Sequence, residues 1–274
     1  YGISSRLSRP LSSSRSGSFR SCYLRQTPVC EGKQSLMYNR FMGSSEDYET
    51  LESFDSTFIE RFGTIAGLDE AGRGPLAGPV VAAAVILRGS VRGVNDSKLL
   101  SAKDRESLYE EIIDRAYVGI GLSTPEEIDL LNILNATKLA MNRALDGLSV
   151  RPSYVIIDGK YLNLKIRGRC IVGGDRLSAS IASASIMAKV FRDRLMKDLG
   201  NLYPEYGYEK HKGYGTEKHL QAIARYGPST WHRLTYRPIR ESARPELVSR
   251  WLRDSAVNED RLFRAGLLTP EVLR

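Results

Sequence analysis

Four acidic residues of this 274-residue chain stand where acids do chemistry rather than solvation. Asp69 and Glu70 close the apolar run at residues 64–68, and the glycine-rich turn Gly72-Arg73-Gly74-Pro75-Leu76-Ala77-Gly78 follows them. Asp158 closes a second run, Tyr154-Val155-Ile156-Ile157, and Asp175 follows Gly173-Gly174 after the short run Ile171-Val172. In α/β sheets, ligands gather at the carboxyl ends of strands. A single acid in such a place is commonly a turn or cap residue. Several converging carboxylates repel one another and lose hydration, a cost that a cation offsets. Oxygen-only ligands without a Cys/His cluster favour Mg²⁺ or Mn²⁺. Two such ions about 4 Å apart can activate a water and stabilise the leaving oxygen of a phosphodiester. A fifth acid, Asp193 in Phe191-Arg192-Asp193-Arg194, sits mid-helix between arginines and reads as structural.

The turn after Glu70 is no P-loop, because no Gly-Lys-Ser/Thr follows it. Nor is it a dinucleotide fingerprint, because a strand pattern and not a helix comes next. Glycines flanking Arg73 let the main chain approach a ligand closely; a plain hairpin turn is the competing explanation. A second constellation, His211-Lys212-Gly213-Tyr214-Gly215-Thr216, holds a tyrosine between glycines with little nearby to bury it. Such a ring can stack on a sugar or base while Lys212 and Lys210 meet phosphates. Core packing is the alternative for Tyr214. His211, His219 and His232 have no metal-site spacing and are expected at the surface or on phosphates.

These residues need elements to position them. Residues 64–69 and 79–87 predict two strands around a Gly/Pro turn, an antiparallel pair. Globular structure is expected to begin near Thr57. A polar loop, Asn95-Asp96-Ser97-Lys98, precedes a helix predicted at 102–115, capped by Ser101 with Asp104 at its third position. Residues 117–123 predict a strand. Thr124-Pro125-Glu126-Glu127 carries cap, proline and capping-box glutamate, and its helix is predicted to run to Leu145 with Gly147 just past the end. Residues 178–199 predict a helix closed by Gly200, with an Ala/Ser-rich first half suited to lying close against a sheet. Strands alternating with helices argue for an α/β domain, and the opening hairpin for a mixed sheet. From Pro245 onward short helices are expected, as a small C-terminal appendage.

Length suits one or two domains with a sizeable core, and no run of 18 apolar residues predicts a membrane span. The net charge of +8 is unevenly spread: +6 over residues 1–42, −8 over 43–150, +10 over 151–245 and zero beyond. The basic block suits a polyanionic partner, with a solvated surface as the alternative. Cys22, Cys30 and Cys170 form neither a disulfide framework nor a zinc site and fit a reducing compartment, so a cytoplasmic location is expected. Residues 1–42 are rich in Ser and Arg and read as disordered. Their composition suits a transit peptide to a mitochondrion or plastid. The reading preferred is a translation start at Met37 or Met42.

Asp69-Glu70-Ala71-Gly72-Arg73-Gly74-Pro75-Leu76-Ala77-Gly78-Pro79 resembles the signature of the bacterial ribonuclease HII family. Further motifs match in order: Asn95-Asp96-Ser97-Lys98, Ile157-Asp158-Gly159, Gly174-Asp175, residues 182–189 (ASASIMAK) and His211-Lys212-Gly213-Tyr214-Gly215-Thr216. The resemblance covers about residues 58–240, with a similar helical tail. It implies an RNase H-like α/β fold, a mixed five-stranded sheet flanked by helices, over residues 57–240, with the appendage at 241–274 and residues 1–50 outside it. It implies hydrolysis of RNA in RNA–DNA hybrids and cutting on the 5′ side of a single ribonucleotide in duplex DNA, leaving 3′-hydroxyl and 5′-phosphate. Asp69, Glu70, Asp158 and Asp175 match the family's metal-binding carboxylates, for two Mg²⁺ or Mn²⁺ ions. Gly72-Arg73-Gly74 matches the loop that reads the 2′-hydroxyl, Lys98 a substrate contact, and Tyr214 the ring that packs on the neighbouring deoxyribose. A monomer acting on ribonucleotide-containing duplex is expected. One position departs from the family: Gly173 stands where lysine is usual. A DNA nuclease or integrase of the same fold would have no 2′-hydroxyl to read, and a hybrid-binding protein without catalysis would gain nothing from four acids beside phosphates.

Overall fold

The computed structural model describes residues 47–94, 100–160 and 164–272, so the Asn95–Lys98 loop, and Lys98 with it, lies outside the described residues. The first described element is helix α1 (Asp47–Phe62). This helix begins ten residues ahead of Thr57, where the sequence pattern places the start of globular structure. Its Leu51 and Phe58 are buried, and Phe62 stacks on Tyr154 with ring centroids 4.0 Å apart.

Strands β1 (Ile65–Ala71), β2 (Val80–Leu87), β3 (Ala116–Ser123), β4 (Tyr154–Asp158) and β5 (Gly168–Ile171) form one sheet in the order β3-β2-β1-β4-β5. The first three are antiparallel neighbours, while β1, β4 and β5 run parallel. The mixed sheet expected from the opening hairpin is therefore present, and β2 is buried along almost its whole length because helices cover both faces.

Helix α2 (Ala102–Arg115) starts at the Ser101 cap, whose hydroxyl accepts the Asp104 N–H at 3.2 Å. The single helix predicted from Thr124 to Leu145 is instead two, α3 (Pro125–Leu131) and α4 (Ile133–Asp146). Asn132 breaks it at φ 67, a left-handed value that its short polar side chain tolerates, and its carboxamide oxygen caps α4 through the Asn135 N–H. Helix α4 lies on the sheet through glycines: a Cβ on Gly121 would stand 2.1 Å from the Ala140 carbonyl oxygen.

The opposite face carries α5 (Ala179–Leu202), capped by Ser178. Its small residues let it ride on the backbone of β1, where a Cβ on Gly67 would stand 2.3 Å from the Ser180 carbonyl carbon. The helix does not stop at Gly200. That glycine is interior, because the following segment crosses there: its Cβ would meet the Glu209 nitrogen at 2.9 Å. That segment is the short α6 (Tyr208–His211), followed by α7 (Glu217–Tyr226) and α8 (Arg237–Ser242). Two further helices, α9 (Pro245–Arg253) and α10 (Glu259–Arg264), close the described chain. Trp251, Val257 and Leu262 of this tail share one apolar cluster with Leu76 and Ala77 of the glycine turn. Among the described residues no helix is long and apolar enough to cross a membrane.

Candidate active site

Strand pairing places the first two acids. Leu68 faces Ile157 in the parallel β1–β4 ladder, so Asp69 and Asp158, each one residue further on, lie side by side at the carboxyl end of the sheet. Asp69 points to the α5 face, buried, and accepts hydrogen bonds from the Ser185 hydroxyl and, at 2.7 Å, the Glu70 N–H. The Asp158 carboxylate accepts the Gly174 N–H at 2.6 Å, which ties down the 3-10 turn at Gly174–Arg176 and with it buried Asp175. Glu70 pairs with Arg73 at 3.1 Å across the start of the glycine turn.

The electrostatics follow from burial. Asp69 has its pKa raised well above the ordinary value, first by desolvation, then by the charges of Glu70 and Asp158. Glu70 is raised by desolvation, against which the Arg73 guanidinium pulls down. Glu70 Oε2 is buried with no hydrogen-bond partner among the described residues. Among the described residues no three His, Cys, Asp or Glu side chains already converge as a cage for an ion. Asp69, Glu70 and Asp158 interact electrostatically, and Asp175 follows Gly174, whose N–H Asp158 holds. An all-carboxylate donor set with an orphaned buried oxygen fits a hard divalent cation.

The glycine turn is shaped from behind by two buried arginines that sequence reasoning did not single out. Arg192 of α5 donates to the carbonyls of Pro79 at 3.0 Å, Ala77 at 3.2 Å and Lys212 at 3.0 Å. Arg233 donates to the carbonyls of Gly72, Arg73 and Gly78. Gly72 has φ +94, and a Cβ there would stand 2.0 Å from Arg192 Nε, so no other residue fits. Tyr214, 46% exposed, stands beside the turn, with its Cε1 3.7 Å from where a Gly74 Cβ would be. The two loops are also joined directly, since the Gly213 carbonyl accepts the Leu76 N–H at 2.8 Å.

Other expectations resolve differently. The Lys212 ammonium donates to the Glu209 carbonyl at 2.6 Å, which holds its side chain against its own loop. His219 and His232 are fully buried rather than at the surface, because each finds polar partners inside. Asp193 pairs with Lys189 at 2.7 Å, in keeping with a structural role. Gly173, at the position departing from the family pattern, has φ +67. Buried Asp129 gathers Leu234 N–H, Thr235 N–H and Arg261 Nε, pinning the segment that carries Arg233.

The model of the family described as Ribonuclease HII matches residues 66–239. The chain belongs to the ribonuclease HII family. It is 51% identical over 210 residues to the ribonuclease HII of Thermotoga maritima, covering 77% of this chain and 88% of that one. It is 58% identical over 189 residues to that of Pseudothermotoga lettingae, covering 69% and 84%. The crystal structure of the ribonuclease H2 of Pyrococcus horikoshii superposes with a TM-score of 0.55 at 30% identity, over 65% of this chain and 96% of that one. A Bst-RNase HIII crystallised with Mn²⁺ shares the fold alone, with a TM-score of 0.53 at 18% identity over 65% of this chain and 68% of that one. As a member of this family the chain is a type 2 ribonuclease H, an endonuclease.

Proposed function

We propose that this endonuclease hydrolyses the RNA strand of RNA–DNA hybrids and cuts on the 5′ side of a lone ribonucleotide in duplex DNA, leaving 3′-hydroxyl and 5′-phosphate ends. Asp69, Glu70, Asp158 and Asp175 would hold two Mg²⁺ or Mn²⁺ ions, which supply activation of a water and neutralisation of the leaving oxygen. Asp69 and Asp158 form the centre of that set, and Glu70 Oε2 offers a lone pair that nothing among the described residues uses.

The observation that carries the reading is the direction of two peptide groups. The carbonyls of Gly72 and Arg73 both turn inward to Arg233. No cis peptide bond occurs among the described residues, so the Arg73 and Gly74 N–H groups point the opposite way, outward from the guanidinium. Two main-chain donors beside the acids suit a sugar hydroxyl that DNA lacks. Tyr214 flanks that position with an exposed ring face, which suits the adjacent deoxyribose.

The test uses labelled duplexes carrying one internal ribonucleotide, a run of ribonucleotides, or none, each with Mg²⁺ or EDTA. A single Mg²⁺-dependent cut 5′ to the lone ribonucleotide, with the all-DNA duplex intact, is expected. Cleavage confined to the continuous run would remove the sugar-reading role of Gly72–Gly74 and Tyr214.

A further inference from the structure

Beneath Tyr214 lie three imidazoles whose protons the surroundings dictate. The Ser229 N–H donates to His232 Nδ1 at 2.8 Å, so that nitrogen carries no hydrogen. The Ser229 hydroxyl lies 2.9 Å from the same nitrogen and can only add a second donor to it. At the other end, His219 Nδ1 lies 2.9 Å from the Tyr214 carbonyl oxygen, which has no proton to give, so His219 Nδ1 carries the hydrogen. Between them the two Nε2 atoms face each other at 3.1 Å, a contact that needs one proton, not none and not two. Both ends demand the same solution: His232 Nε2–H donates to His219 Nε2, and both rings are neutral. A cationic His219 would set two N–H groups against each other, and a cationic His232 would oppose the Ser229 N–H.

The third ring is fixed in the same way. His211 Nε2 faces the Tyr206 carbonyl at 2.7 Å, and its Nδ1 accepts the Gly213 N–H at 3.2 Å. It stacks on His219 with centroids 4.3 Å apart. The backbone on both sides of the Tyr214 α-carbon is therefore gripped by imidazole, Gly213 N–H by His211 and Tyr214 C=O by His219.

We infer that His211, His219 and His232 form a tautomer-locked array that positions Tyr214, with His219 and His232 setting the preference for a lone ribonucleotide without touching substrate. The specificity part rests on the proposed role of Tyr214; the tautomers do not. Packing alone would be served by any apolar side chain. The array delivers one donor to one carbonyl, and only the ordering Ser229 → His232 → His219 → Tyr214 supplies it.

A long-range ¹H–¹⁵N spectrum of the ¹⁵N-histidine-labelled full chain at neutral pH reads the tautomers directly. Expected are Nδ1–H for His219 and Nε2–H for His211 and His232. An Nε2–H His219, or fast exchange between tautomers, overturns the array whatever Tyr214 does. The second arm compares cleavage of a lone ribonucleotide with that of a continuous hybrid. His219→Leu should lower this ratio about fivefold, the worth of one hydrogen bond. His219→Asn, whose amide can donate from the Nδ1 position, should restore it. Equal loss on both substrates, or no rescue by His219→Asn, overturns the positioning role. If the tautomers are as assigned and Tyr214→Ala leaves the ratio unchanged, the reading of Tyr214 is what has failed, and the specificity role falls with it.

Discussion

Asp69→Asn separates the cost of the acidic cluster from its use. In the folded chain Asp69 is buried beside Glu70 and Asp158, and its ionised form is disfavoured first by desolvation and then by those two charges. Asparagine removes the charge and keeps the shape. Its carbonyl oxygen still accepts the Glu70 N–H, and the Ser185 hydroxyl can rotate to accept from the new amide, so no buried polar atom is orphaned. Relief of a buried like-charge contact is worth on the order of 1–3 kcal/mol. For a chain of this size that raises the melting midpoint by roughly 2–10 °C. In EDTA the variant should therefore melt above the wild type. Saturating Mg²⁺ should reverse the order: a ligand at a hundred times its Kd adds about 2.7 kcal/mol, and only the wild type retains the full donor set. Cleavage should fall by about three orders of magnitude, ~4 kcal/mol of transition-state stabilisation. Scanning fluorimetry with and without Mg²⁺, beside single-turnover cleavage, makes the measurement. A variant that melts lower in EDTA, or gains as much from Mg²⁺ as the wild type, would refute the assignment of Asp69 to a cation.

Tyr214→Ala should reduce cleavage at a lone ribonucleotide more than cleavage of a continuous hybrid, checked by the ratio of initial rates. Gly72→Ala puts a side chain at φ +94 and 2.0 Å from Arg192 Nε. The backbone strain alone is about 1–2 kcal/mol, so the variant should melt several degrees lower and lose at least about tenfold in cleavage as the turn shifts. Arg261→Leu leaves Asp129 charged and buried, where the native pair stands at 2.7 Å with side chains 5% and 0% exposed; a loss of about 3–5 kcal/mol is expected in urea unfolding. Acid should destabilise the protein through His219 and His232, whose pKa values are lowered from 6.5 to about 4 and about 3 by burial. Below 6.5 the unfolded chain takes up protons that the folded chain refuses, so stability falls as pH drops toward about 4, with a slope approaching ~1.4 kcal/mol per pH unit for each ring. Asp69 and Glu70, with raised values, tilt the curve the other way, and His232→Phe should flatten the acid limb alone, as read from urea midpoints against pH.

What could be read ahead of the structure was local. A carboxylate at the end of an apolar run, a capping box or a glycine pair round an arginine each signals itself within ten residues, and Asp69, Asp158, the Ser101 cap and the turn all stand where the pattern puts them. That Asp69 lies next to Asp158 depends on β1 pairing with β4, a parallel contact between segments some ninety residues apart in the sequence that no local pattern encodes. Asn132 looks like one more polar residue in a helix until its φ of 67 is seen. Gly200 mimics a helix stop because the reason for it, the backbone of Glu209, comes from outside the helix. The buried arginines and histidines were the hardest, since such residues are usually exposed and their acceptors are main-chain carbonyls of other loops. One clue was available for Arg192: it falls in the same helical stripe as Ile181, Ser185, Ala188 and Met196, all of them buried.

That stripe explains how chemistry and recognition stay in register. Ser185 holds Asp69, and Arg192, seven residues later on the same face of α5, holds the glycine turn and, through the Lys212 carbonyl, the loop of Tyr214. Seven residues of helix span about 10.5 Å along the axis. The helix is anchored over β1 by a contact too close for any side chain at Gly67. A carboxylate partner for Arg192 would have stabilised the cation at the expense of the turn, because its donors would then have left the carbonyls of Ala77 and Pro79. Satisfying a buried guanidinium with main-chain oxygens fixes the loop's peptide planes. The outward direction of the N–H groups at Arg73 and Gly74 is the consequence of the same choice at Arg233. The distance from the acids to the two loops is thus set by one rigid element, and neither loop can shift without breaking contacts to a buried charge.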